Sequence, residues 1–137
     1  MDFKEYLELY NAQAKIDKLA KLYKNKKIAI YGAGQFAKAI FDNYDVSKLN
    51  IVAVADIRFE KEKNANFFGY NCIAPRELGY LDCDVILIAN YDTSFFTTLL
   101  DDQILYLTPN ENVTIRPMIK ETFFDLFFKK PKQTKTI

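Results

Sequence analysis

The stretch Lys27-Ile-Ala-Ile-Tyr-Gly-Ala-Gly34 constrains the fold of this chain more than any other. A short apolar run stops at two glycines one residue apart, and a helical pattern starts at once in Gln35-Phe36-Ala37-Lys38. A second apolar run, Ile51–Ala55, ends on Asp56. A strand–turn–helix–strand unit of a parallel sheet uses residues in that order. Gly32 permits the tight turn, Gly34 lets backbone approach a phosphate, and Ala37 takes the third position, where helix packs closely on strand. The free N–H groups and positive dipole end of the helix then face the anion. Asp56 follows Gly32 by 24 residues, near the roughly 20-residue offset of an acid that hydrogen-bonds ribose hydroxyls. The competing reading is that both glycines serve only a tight turn in a sheet whose nucleotide site has been lost.

The rest of the chain supports a doubly wound sheet. Residues 2–24, within an N-terminal unit 1–25, carry apolar residues at helical spacing and predict one amphipathic helix. The core, 26–108, reads as strand Ile28–Tyr31, helix 34–44, strand Ile51–Asp56, a polar loop 57–70 and a short strand at 71–73. Pro75 opens a helix. Asp84–Ala89 is nearly all apolar, as a strand buried on both faces must be. A helix Asp92–Leu100, with Asp92 as N-cap, and a last strand Ile104–Leu107 complete the core. The segment 109–128 is expected to end in a phenylalanine-rich helix, Pro117–Phe128, followed by a basic mobile tail, 129–137. The fold class is thus α/β, a Rossmann-like doubly wound parallel sheet with extra N- and C-terminal helices. Ligand belongs beyond the carboxyl ends of the strands, where Gly32, Asp56 and Asn90 fall.

Composition removes whole function classes. The 137 residues contain no histidine, which excludes imidazole bases, His-dependent triads and His-ligated metals. Cys72 and Cys83 form no Cys-x-x-Cys pair and read as core fillers. The formal charge of +1 carries no electrostatic signature of nucleic acid, and none is expected as a partner. No apolar run reaches the roughly 18 residues of a membrane helix, and no membrane association is expected. Met1-Asp-Phe-Lys-Glu-Tyr6 lacks the uncharged core of a signal peptide, so the chain is expected to be cytoplasmic. Tyr44-Asp-Val-Ser-Lys48 matches a Tyr-x-x-x-Lys pair, but it ends the first helix, far from the strand carboxyl ends, and reads as coincidence. The Walker pattern is absent.

Ile30-Tyr-Gly-Ala-Gly34, Asp56, Phe68-Gly-Tyr-Asn-Cys-Ile-Ala-Pro-Arg-Glu-Leu78 and Asp84-Val-Ile-Leu-Ile-Ala89 together carry a resemblance. Residues 26–108 resemble the Rossmann-like N-terminal domains of bacterial polysaccharide-biosynthesis epimerase/dehydratases and of nucleotide-sugar acetyltransferases. A similar unit ends some sugar methyltransferases. The resemblance implies phosphate contact at Gly32, Ala33, Gly34 and Gln35, ribose or uridine contact at Asp56, and a role in surface-polysaccharide or sugar-nucleotide metabolism. Gln35-Phe36-Ala37 stands where the acetyltransferases continue in a Gly-His-Gly style. The epimerase half and the β-helix catalytic half have no counterpart, so the expected inheritance is binding rather than catalysis.

The candidate cofactor-binding set is Gly32, Ala33, Gly34, Gln35, Phe36, Asp56, Ile57, Arg58, Asn90 and Tyr91, with NAD or a nucleotide-sugar as ligand. Asp56 favours NAD over NADP by repelling a 2′-phosphate, and Arg58 softens that preference. No catalytic residue is assigned; Tyr91 and Asp92 are the best-placed bases, but Tyr91 also reads as a turn residue and Asp92 as an N-cap. The alternatives are a non-catalytic regulatory or interaction subunit, and a sensor of CoA or a redox cofactor. A homodimer through the terminal helices is the expected assembly.

Overall fold

Four of the five strands are nearly continuous runs of buried residues, and that composition forces a sheet covered on both faces. The computed structural model describes residues 2–91 and 113–119. Its strands are β1 (Ile28–Tyr31), β2 (Ile51–Ala55), β3 (Cys72–Ile73), β4 (Val85–Ile88) and β5 (Thr114–Pro117). They form one five-stranded sheet in the order β3-β2-β1-β4-β5, with every pairing parallel. The chain winds outward from β1 through β2 to β3, then crosses back to β4. The winding therefore reverses between β1 and β4, the position outside whose carboxyl ends open α/β sheets hold ligands.

The helices are α1 (Phe3–Leu9), α2 (Ala12–Leu22) and α3 (Gln35–Asn43). One sheet face, with Ile28, Ile30, Val54, Val85 and Leu87, packs against Leu7, Ile16, Leu19, Ala37 and Ile40 of these helices. The other face carries Ala29, Tyr31, Ala53, Ala55, Ile86, Ile88 and Ile115, and it packs on Leu78 of the 3-10 helix Pro75–Tyr80. Burying a side chain of Leu or Ile size stabilises by about 1.5–3 kcal/mol, so the two faces dominate the cohesion of the domain. Among the described residues no helix is long and apolar enough to cross a membrane.

Several expectations need correction. The single N-terminal helix is two helices, broken at Asn11, which sits in the left-handed region at φ 54°. Asparagine tolerates that conformation better than most residues. The break lets α1, capped by a reciprocal box between Asp2 and Glu5, cross α3, while α2 buries Ala12, Ile16 and Leu19. The loop 57–70 contains a 3-10 helix, Ile57–Glu60, whereas the helix expected to open at Pro75 is present as the 3-10 helix Pro75–Tyr80.

Pro117 closes β5 instead of opening a helix, and the sheet extends past the 26–108 segment through a strand that reads polar. Met118 and Ile119 follow it into the core. The expected elements Asp92–Leu100 and Ile104–Leu107, the remainder of the C-terminal helix and the tail 129–137 lie outside the described residues.

Candidate functional site

The site begins where β1 runs out. Gly32 keeps to the sheet, donating its N–H to the Ala55 carbonyl at 2.8 Å, while Ala89 donates to the Tyr31 carbonyl at 2.9 Å. Its φ of +120° and the Ala89 carbonyl oxygen, 2.7 Å from where a Cβ would stand, leave room for glycine alone. The next N–H, on Ala33, donates to Asp56 Oδ2 at 2.7 Å. The acid ending β2 thus fastens the turn after β1. Asp56 Oδ1 accepts from the Arg58 backbone N–H at 3.0 Å and from Arg58 Nε at 3.4 Å.

Gly34 is the N-cap of α3 and has ordinary extended geometry, φ −87°. It offers no side-chain acceptor to the first turn of the helix, whose N–H groups have no intrahelical acceptor, as an anion site requires. A Cβ at Gly34 would lie 3.6 Å from Arg58 Nη2, an ordinary contact. The two glycines therefore differ in kind, since backbone geometry demands the first and leaves the second free.

Beside Gly34 lies a cleft of about 230 Å³, lined by Ala33, Gly34, Gln35, Lys38, Arg58, Asn66, Phe67 and Phe68. Lys38 also pairs with Asp42 at 2.7 Å, one turn along α3. The aromatic wall comes from the turn Asn66–Tyr70. There Asn66 Oδ1 accepts from the Gly69 N–H at 3.0 Å, and Tyr70 N–H donates to the Phe67 carbonyl, also at 3.0 Å. Phe67 and Phe68 rest on Phe41 of α3, with ring centroids 5.2 and 5.5 Å away.

Phe68 sits at φ 54°, and among the described residues the other two non-glycine positions with positive φ are asparagines. A bulky side chain there is an outlier that costs about 1–2 kcal/mol. The ring so held is 44% exposed.

On the other side of the α3 N-terminus stands a second aromatic cluster, in which Tyr91 is half exposed. Phe3 and Tyr6 of α1 meet Phe36 of α3 and Tyr91 just after β4, with centroids 4.9–5.8 Å apart. Burial pushes the Tyr6 phenol up to about 12. Burial, then Asp56 and Glu60, does the same to Tyr31. Both stay protonated near neutrality and offer no phenolate base. Tyr44 caps the far end of α3, and burial shifts its phenol upward as well, opposite to what a catalytic Tyr–Lys pair needs.

Of the candidate residues, Ala33, Gly34, Gln35 and Arg58 line the cleft, and Gly32 and Asp56 shape it. Phe36 and Tyr91 belong to the aromatic cluster under α1. Ile57 is exposed, and Asn90, half-buried after β4, does not line the cleft. Asp92 lies outside the described residues. Lys38, Asn66, Phe67 and Phe68 were missed. The Phe-Phe-Gly-Tyr turn was the available signal for the last two. No group of three or more Cys, Asp or Glu among the described residues is placed to hold a metal.

No curated protein matches this chain. The family model described as C2185-like, N-terminal matches residues 24–112, a span that takes in the glycine turn, Asp56, the aromatic wall and β4. That match covers more than half of the sequence, and the chain belongs to the C2185-like N-terminal family.

Proposed function

We propose that this chain binds a nucleotide, as NAD or a nucleotide-sugar, at the turn between β1 and α3. The observation carrying this reading is the bond from the Ala33 N–H to Asp56, which fixes the turn so that Gly34 opens the α3 N-terminus onto a cleft beside Arg58 and Lys38. Backbone donors at a helix N-terminus, two cations and an exposed aromatic ring form a set suited to phosphate and base. The resemblance to nucleotide-sugar enzymes extends the proposal to surface-polysaccharide or sugar-nucleotide metabolism.

A regulatory or interaction subunit is the second reading, favoured by Leu9 and Leu22, large apolar side chains left exposed on α1 and α2.

The test is a thermal-shift screen of NAD, NADP, UDP-sugars, GDP-sugars and CoA. A ligand at about 100 times its dissociation constant adds about 2.7 kcal/mol of stability. Gly34→Val is expected to keep the wild-type melting temperature without ligand and to lose the ligand-induced shift. A shift that survives in Gly34→Val, or no shift in the wild type with any nucleotide, refutes the reading.

A further inference from the structure

We infer that Arg58 reads the ligand at the acid end of this site and reads it as phosphate, while Asp56 is a positioning residue that leaves the ribose hydroxyls unread. The inference rests on the nucleotide-binding reading above and assigns its contacts. It reverses the expectation from residue order, in which the acid after β2 hydrogen-bonds ribose.

An ionised carboxylate has about four acceptor positions. Three of those on Asp56 are taken inside the protein. Oδ2 accepts from the Ala33 N–H at 2.7 Å, and Oδ1 accepts from the Arg58 backbone N–H at 3.0 Å and from Arg58 Nε at 3.4 Å. A two-pronged bond to the 2′- and 3′-hydroxyls of ribose needs two free positions, and about one is left. The Asp56 side chain is only 16% exposed, and it does not line the cleft.

Arg58 is placed the other way. Asp56 holds its backbone and its Nε, yet its side chain is half exposed. Nη2 comes 3.6 Å from the point where a Cβ on Gly34 would stand. The Nη edge of the guanidinium, a rigid fork of donors, therefore stands at the mouth of the turn, where a phosphate on the α3 N-terminus would lie. Both charged residues lining the cleft, Arg58 and Lys38, are cations, and their carboxylate partners Asp56 and Asp42 do not line it. That lining offers a phosphate a planar fork and a second positive charge, and offers ribose no carboxylate. The ligand class is a nucleotide recognised at its phosphates, with deoxyribose accepted in place of ribose.

The experiment is calorimetric titration of the full chain with UDP, ADP and GDP and with the 2′-deoxy form of each. For the base that binds best, the two forms are expected to agree within about threefold, whereas a lost hydrogen bond to a charged acid would separate them by about tenfold or more. Arg58→Ala is expected to weaken both forms by about tenfold, and Arg58→Lys to recover only part of that, because an ammonium cannot fork. Asp56→Asn is expected to weaken both forms alike, and to weaken them no further in the Arg58→Ala background, as a residue acting through Arg58 must. A 2′-deoxy form more than about threefold weaker than its ribose counterpart overturns the unread ribose and leaves the nucleotide reading standing. Unchanged affinity in Arg58→Ala overturns the phosphate role of Arg58. Additive losses from Asp56→Asn and Arg58→Ala overturn the positioning role of Asp56. Binding of none of the six overturns the nucleotide reading itself.

Discussion

The two aromatic clusters flanking α3 are built from the same kinds of residue but are held by different backbone devices. Phe3, Tyr6, Phe36 and Tyr91 join α1 to α3 with Tyr91 half exposed, whereas Phe41, Phe67, Phe68 and Tyr70 join a turn to α3 with Phe68 exposed at a cleft. The difference lies in what surrounds the rings. In the first cluster a helix brings two rings down onto two others, and Phe36 and Tyr6 are buried. In the second a turn with two successive positive φ values, at Phe68 and Gly69, holds one ring outward, beside Asn66, Arg58 and Lys38. Aromatic content alone does not distinguish core from cleft wall; backbone conformation and polar neighbours do.

The largest effect expected from this contrast is on folding. Phe36→Ala removes a buried ring from the first cluster and is expected to cost about 3–5 kcal/mol, read from urea unfolding. A cost below about 1 kcal/mol would mean that Phe36 does not join α1 to α3.

A smaller effect is expected at Asp56, which both sides share through the glycine turn. Asp56→Ala leaves the Ala33 N–H without its acceptor and is expected to cost about 1.5–3 kcal/mol, the scale of hydrogen bonds to charged groups. Asp56→Asn keeps an acceptor in place and should recover part of that loss. Equal unfolding midpoints for wild type and Asp56→Ala would show that the carboxylate does not fasten the turn.

The smallest effect has the opposite sign. Phe68→Gly relieves the left-handed strain but gives up contacts with Phe41 and Phe67, so stability is expected to change by less than about 1 kcal/mol, with the midpoint unmoved or raised. A large destabilisation would make Phe68 a core residue like Phe36 and erase the distinction between the clusters.

Much of the sheet was legible from residue order. Ile28–Tyr31, Ile51–Ala55 and Val85–Ile88 are apolar runs long enough for one buried strand and too short for a helix, and Gly32 and Gly34 mark the turn. What escaped depended on contacts distant in sequence. Thr114-Ile-Arg-Pro117 has polar residues and a proline, so nothing local marks it as a strand; pairing with β4 makes it one. The spacing of apolar residues continues across Asn11, which hid the break between α1 and α2. Asp56 was visible as an acid at the right offset, but its bond to Ala33 joins residues 23 apart. The cleft was the least legible, since Lys38, Arg58 and Phe68 meet only after α3 and the turn at 66–70 pack together.

The unequal demands on Gly32 and Gly34 give the motif an asymmetric memory. A lineage that gave up its ligand while keeping its fold would be free to replace Gly34, where a side chain meets only the tip of Arg58. It could not replace Gly32, where the obstacle is the backbone of Ala89. In descendants of this chain, position 32 would therefore record only that the sheet survives, and position 34, under the proposed nucleotide reading, would record whether binding survives with it.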